Sequence, residues 1–173
     1  MNGFFLLIPF FLIRFALTAA LSREALGRAA RFAPVRGRER AAYYIYQLSN
    51  AGIVLYPAFL TVQADASWIF CGGLLCYGGG LLLCAAAVVS FAAPDSGGLN
   101  TNGLYRISRN PMYLAYFVCF LGMALLTRSP ALLGLTLVFQ ASAHWIILAE
   151  ERWCLEQFGQ AYGQYMARVR RYL

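Results

Sequence analysis

The sequence predicts an all-α protein: an integral membrane helical bundle of about five transmembrane helices, closed by a C-terminal amphipathic helix. Three observations carry this. Of 173 residues, 61% are hydrophobic and only 12% are charged, against about a quarter charged in soluble domains. The apolar residues gather in runs close to the ~20 needed to cross ~30 Å of hydrocarbon. All 14 basic residues are arginine, and most fall in the breaks between alternate runs.

Gly3–Leu21 is the first run. Its small residues Ala19, Ala20 and Ser22 suit a signal-peptide cleavage region, but no basic residue precedes the run and Arg14 interrupts it. A retained helix is therefore expected. Arg14 costs about 2.5–3.5 kcal/mol near mid-membrane, so it should face a partner in the bundle or reach an interface. Ser22–Arg40 holds Arg23, Arg28, Arg31, Arg36, Arg38 and Arg40 against Glu24 and Glu39, with Pro34 and Gly37 as breakers. It reads as a cytoplasmic loop with a short interfacial helix over Glu24–Phe32.

The second span is expected over Tyr43–Val62, with Tyr43, Tyr44 and Tyr46 as an aromatic belt. Gln47, Ser49 and Asn50 should point inward, and Pro57 should kink the helix. Gln63–Ser67 carries Asp65 and no arginine, so it reads as an outer loop. Trp68–Phe91 is the third span; Gly72, Cys76, Gly80 and Cys84 form a stripe of small residues along which another backbone can approach. Beyond the polar stretch Asn102–Tyr113, the runs Pro111–Leu126 and Ala131–Ala149 are joined by four residues, Thr127 to Pro130, which forces an antiparallel hairpin.

The tail Glu150–Leu173 repeats Leu155, Phe158, Tyr162, Tyr165, Val169 and Tyr172 at three- and four-residue steps, as an amphipathic helix does. Gly159 and Gly163 weaken it. Arginines fall in the first loop, near Arg106, and in the tail (Arg152, Arg168, Arg170, Arg171), while Arg128 stands alone on the other side. The positive-inside rule then puts the N-terminus outside and the C-terminus in the cytoplasm.

The net charge of +7 lies beside hydrophobic runs and suits an anionic membrane surface; no nucleic-acid partner is expected. Cys71, Cys76, Cys84, Cys119 and Cys154 have no C-x2-C spacing and read as packing residues. No metal spacing, phosphate-binding loop or dinucleotide fingerprint appears.

Two places are candidates for chemistry. Asn102–Tyr113 crowds Tyr105, Arg106, Arg109 and Asn110 against Pro111, which opens a helix whose free N–H groups favour an anion. Glu150 and Glu151 close the last apolar run. At 100° per residue Gln140, His144 and Glu151 share one face, though a single histidine is commonly a packing residue. Both carboxylates could equally mark the water interface, paired with Arg152 or the tail arginines.

Gly103-x-Tyr105-x3-Arg109-Asn110-Pro111-x-Tyr113 resembles the G-x-Y-x3-R-H-P-x-Y motif of the isoprenylcysteine carboxyl methyltransferases and the related phospholipid methyltransferases. Glu150-Glu151, followed by Phe158-Gly159-x2-Tyr162-x2-Tyr165-x3-Val169, resembles that family's E-E…F-G-x2-Y-x2-Y-x3-V ending. The match covers about Ser90–Val169. The resemblance implies one membrane methyltransferase-like domain over 1–173, with three helices in 1–91 and a cofactor-binding half in 92–173. It implies S-adenosylmethionine as methyl donor, held by Leu99, Asn100, Tyr105, Asn110, Pro111, Met112, Tyr113 and Glu150.

Glu150, Glu151 and His144 are then the candidate catalytic groups, since an amine acceptor must lose a proton before it takes a methyl group. The acceptor is expected to be a lipid or lipophilic molecule reaching the cytoplasmic face from the bilayer, in a bacterial inner membrane. Two positions depart from the family pattern. Asn110 replaces histidine and cannot take a proton. Ile146 stands where prenylcysteine enzymes carry a substrate-binding arginine, which argues against that substrate. The alternative reading is a catalytically inactive assembly or lipid-binding protein that keeps the fold. A small transporter ranks lowest, because the polar groups gather at one side.

Overall fold

The computed structural model describes residues 1–29, 32–37, 39–95 and 97–173. Arg31 and Arg38 of the basic loop lie outside the described residues. Seven helices are formed among the described residues: α1 (Gly3–Leu21), α2 (Arg23–Ala29), α3 (Glu39–Leu55), α4 (Trp68–Ala92), α5 (Pro111–Thr127), α6 (Pro130–Phe158) and α7 (Gln160–Arg168). The interfacial helix expected over Glu24–Phe32 is α2, with residues 30 and 31 outside the described set.

Local signals set the ends of the long helices. Ser67 caps α4 by accepting from the Phe70 N–H at 3.2 Å, and Ser129 caps α6 by accepting from Leu132 at 3.1 Å. Proline opens both α5 and α6, where its missing N–H costs nothing. Arg128, at φ 49°, turns the chain left-handed after α5, and the Ser129 N–H returns to the Ala124 carbonyl. The hairpin is antiparallel as expected, so the start of α5 and the far half of α6 lie at the same end of the bundle.

Three helices, α1, α4 and α6, are long and apolar enough to cross a membrane. The protein is all-helical and built for lipid, but five crossings are not established: α3 and α5 have 17 residues each, about 25 Å. The second apolar segment also differs from expectation. It starts earlier, at Glu39, and α3 stops at Leu55 where Tyr56–Phe59 tightens into a 3-10 turn around Pro57. Pro57 ends the helix rather than kinking it, because its ring excludes the carbonyl a turn behind. Ser49 is buried and Asn50 half-buried, while Gln47 is accessible and lines the cleft between α1 and α3.

Backbone approach is closest between α4 and α5. A Cβ on Gly80 would lie 2.6 Å from Cys119 Cα, and one on Gly122 would lie 2.6 Å from Tyr77 Cα. Gly80 and Cys84 of the expected stripe sit in this seam, while Gly72 has open space around it and Gly73 meets Leu126 instead. The other main seam joins α3 to α6, where Tyr46 stacks on Phe139 at 5.0 Å. α1 leans on α4, with Tyr77 donating to the Leu6 carbonyl at 2.6 Å.

At the end carrying Asp65, that residue and Ser67 receive Arg128. At the opposite end the tail departs most from expectation. α6 runs unbroken for 29 residues, so Glu150 and Glu151 lie inside it. Gly159, at φ 51°, breaks the chain into α7, which buries Tyr162 and Tyr165. Leu155 is 41% exposed and does not belong to that buried face. Residues 169–173 then cross the polar turn, with the Arg109 N–H donating to the Arg170 carbonyl at 2.9 Å.

Candidate functional site

The polar turn is shaped before it is packed. Asn102 leads into a 3-10 turn, Gly103–Arg106, and Gly103 has φ 52°. A side chain there would collide with Ser90, whose hydroxyl accepts from the Leu104 N–H at 3.3 Å. This contact pins the turn to the end of α4 and delivers Asn110 and Pro111 to the head of α5.

Across the hairpin, the Tyr113 hydroxyl donates to Glu150 Oε1 at 2.8 Å. Arg14 of α1 acts electrostatically on the same carboxylate. Tyr113 in turn packs edge-on against Tyr46 (6.4 Å) and Tyr116 (6.3 Å). Glu150 therefore closes a knot to which α1, α3, α5 and α6 all contribute.

Glu151 faces elsewhere and is only 4% exposed. Arg109 donates to its Oε1 from Nε (3.0 Å) and Nη2 (2.8 Å), while Arg171 reaches Oε2 from Nε (3.1 Å) and Nη2 (2.8 Å). The Arg109 Nη1 donates to the carbonyls of Met166 and Val169 at 3.0 and 2.9 Å. This clasp ties turn, α6 and tail together. Arg152, beside it, goes instead to Glu39 at 2.6 and 2.8 Å.

The remaining expected residues meet the tail. Asn110 Nδ2 and the Ser108 hydroxyl both donate to the Arg171 carbonyl, at 3.1 and 3.3 Å. His144 Nδ1 lies 2.7 Å from the Tyr172 hydroxyl. The Tyr165 hydroxyl donates to the Tyr105 carbonyl at 2.6 Å. Burial pushes the Tyr105 and Tyr165 hydroxyls up from their ordinary range, so both remain protonated donors. Pro111 is buried at the helix start, and Met112 Sδ accepts from the Tyr116 hydroxyl at 3.7 Å.

Two clefts open near these groups. One, of about 460 Å³, lies under α7 and is lined by Leu99, Thr101, Arg106, Gln164, Tyr165 and Arg168. Beside it Asn100 Oδ1 is buried without a hydrogen-bond partner. The volume falls in the ~300–1,000 Å³ typical of small-molecule sites, and an unsatisfied buried acceptor calls for a donor from a ligand. The other, of about 570 Å³, opens between α1 and α3. Glu150 and Tyr113 line neither. Thus Leu99 lines the first cleft, with Asn100 and Tyr105 next in the chain to its lining residues Thr101 and Arg106, while Asn110 meets the tail and Tyr113 meets Glu150. Among the described residues no group of three metal-binding side chains is found.

Sequence reasoning missed the parts that depend on distant chain segments. Tyr46 and Tyr116 sit beside Tyr113, and Tyr116 could have been found one turn along α5. Arg109 faces a carboxylate rather than a ligand, because the tail returns to sequester it.

A model of the phospholipid methyltransferase family matches residues 68–161, from the start of α4 through the turn, the hairpin and Glu150 into α7. Searches of curated proteins and of solved structures found no match. The matched segment spans more than half of the chain and contains the first motif and the Glu150–Gly159 part of the second, so this membrane protein belongs to the phospholipid methyltransferase family.

Proposed function

We propose that the protein is an S-adenosylmethionine-dependent methyltransferase that methylates a lipid or lipophilic acceptor at the cytoplasmic face of a bacterial inner membrane, with its N-terminus outside. The observation that carries this reading is the 2.8 Å bond from Tyr113 to Glu150, which brings the two halves of the family signature together. Leu99, Asn100, Tyr105, Asn110, Pro111, Met112, Tyr113 and Glu150 would hold the cofactor. The unpartnered Asn100 Oδ1 and the cleft beside Leu99 fit a ligand rich in hydrogen-bond donors. When bound, S-adenosylmethionine supplies a methyl group already activated by its sulfonium.

The chain's own groups then divide the work. Tyr113 holds one Glu150 oxygen and leaves the other for the cofactor or for an acceptor's proton. Both Glu151 oxygens are held by arginine, which suits positioning rather than proton transfer. His144 is oriented by Tyr172 and is the second candidate for moving a proton. Residues 169–173 cover the turn and exclude water from this side.

A second reading, a non-catalytic lipid-binding protein, is favoured by one observation: the Asn110 amide is spent on the Arg171 carbonyl. Calorimetric titration of the detergent-purified protein with S-adenosylmethionine separates the two. Heat together with thermal stabilisation supports the enzyme; absence of both sinks it in favour of the second reading. Incubating membranes with methyl-labelled donor then names the labelled lipid.

A further inference from the structure

None of residues 169–173 is buried, whereas Tyr162 and Tyr165 of α7 just before them are. The contacts that hold these five residues down are polar. The Arg170 carbonyl accepts from the Arg109 N–H at 2.9 Å, and the Arg171 carbonyl accepts from the Asn110 amide at 3.1 Å and the Ser108 hydroxyl at 3.3 Å. The Arg171 guanidinium reaches Glu151, and the Tyr172 hydroxyl lies 2.7 Å from His144 Nδ1 with the two rings 6.1 Å apart.

Three of these partners, Asn110, Glu151 and His144, are groups on which a cofactor or an acceptor would depend. Asn110 cannot turn its amide to a ligand while the Arg171 carbonyl holds it. One turn deeper than His144, on the same face of α6, Gln140 Oε1 is buried without a hydrogen-bond partner. The polar stripe thus continues past Tyr172, and its last member still lacks a donor.

A segment without buried apolar side chains opens at far lower cost than the body of a protein. A joint is in place, because α7 ends at Arg168 and Val169 is extended at φ −118° and ψ 132°. α7 itself stays docked, since the Tyr165 hydroxyl donates to the Tyr105 carbonyl at 2.6 Å. Movement beyond Arg168 therefore needs no movement before it.

We infer that residues 169–173 are a strap, closed in this structure, which swings about the Arg168–Val169 joint to uncover Asn110 and His144 for a ligand. Val169 also lines the cleft beside Leu99, so opening widens that entrance as well. Reclosing restores the Glu151 clasp and shuts water out once the ligand is seated. The swing does not depend on the methyltransferase reading; the identity of what it admits does.

The test follows hydrogen exchange by mass spectrometry on the full chain in nanodiscs, and the association rate of S-adenosylmethionine by surface plasmon resonance. Tyr172→Phe removes only the latch hydroxyl, Arg171→Gln releases Glu151, and Leu173→Ala at an exposed position is the control. The amides of residues 170–173 and of Arg109 are expected to exchange together, faster than those of residues 162–166. Tyr172→Phe and Arg171→Gln should speed that exchange about three- to tenfold, as loss of one hydrogen bond implies, leave residues 162–166 unchanged, and raise the association rate. Leu173→Ala should match the natural protein; if Arg171→Gln does not fold, Tyr172→Phe decides alone. Unchanged exchange in Tyr172→Phe, equal acceleration through α7, or association that is unchanged or slower overturns the inference. Normal S-adenosylmethionine binding with unchanged exchange sinks only this inference. Accelerated exchange confined to these amides, with no S-adenosylmethionine binding in any form, supports the swing and sinks only the methyltransferase reading.

Discussion

The Tyr113 hydroxyl and the Glu150 carboxylate meet at 2.8 Å although 37 positions separate them. This bond ties the first part of the family signature to Glu150, as the Arg109 pair ties it to Glu151, so its removal should be felt in cofactor affinity. Loss of a hydrogen bond to a charged group costs about 1.5–3 kcal/mol, so Tyr113→Phe should weaken S-adenosylmethionine binding by roughly ten- to a hundredfold. Glu150→Ala should abolish the calorimetric signal, whereas His144→Ala should lower turnover more than affinity. Full affinity in Tyr113→Phe would remove Glu150 from the cofactor site.

The Arg109–Glu151–Arg171 clasp predicts a loss of stability of a different kind. Removing the central carboxylate leaves two arginines facing each other, and breaking a buried pair costs about 3–5 kcal/mol. Glu151→Gln should therefore lower the melting temperature clearly, and Arg171→Gln should do so less because Arg171 is about one-third exposed. Equal melting temperatures for Glu151→Gln and the natural protein would mean that the clasp does not form.

Between α4 and α5 the limit is steric. Alanine at Gly80 or Gly122 meets backbone that cannot move aside, and overpacking costs about 1–3 kcal/mol or more. Gly79→Ala, with open space around it, is the control and should fold normally. Comparing folded yield in detergent by gel filtration checks this; equal yields for all three refute the seam.

Acid should loosen the tie between α3 and α6. Glu39 lies at the extramembrane start of α3, and the Arg152 guanidinium beside it pulls its carboxyl from 4.5 down to about 2. A folded-state value below the unfolded one means the contribution is complete above pH 4.5 and fades as pH falls towards 2. Partial exposure limits it to about 1 kcal/mol. Melting temperature measured from pH 7 to 3 should therefore fall less steeply in Arg152→Gln than in the natural protein.

What the sequence reveals and what it hides follows from distance along the chain. The hairpin and the helix opened by Pro111 are local and were readable from the short link and the proline; the serine caps of α4 and α6 are just as local but were not read. The tail was misread because its three- and four-residue rhythm runs straight through Gly159, and rhythm says nothing about a left-handed break. Adjacent glutamates are rotated 100° from each other on a helix, so one had to meet α5 and the other the returning tail. Deciding which required knowing where Arg171 lands, 20 positions away. Gln47 was placed inward from polarity alone, and it is solvent-accessible because it lines the cleft between α1 and α3.

The unbroken course of α6 has a geometric corollary. Glu150 stands twenty residues after Pro130, and at 1.5 Å per residue that is about 30 Å, one hydrocarbon thickness. In the proposed methyltransferase the helix would work as a depth gauge: with Pro130 at one boundary, the carboxylate would be delivered to the other. A bilayer a few ångströms thicker would then draw the proposed site out of register with its lipid, making membrane thickness a variable in turnover.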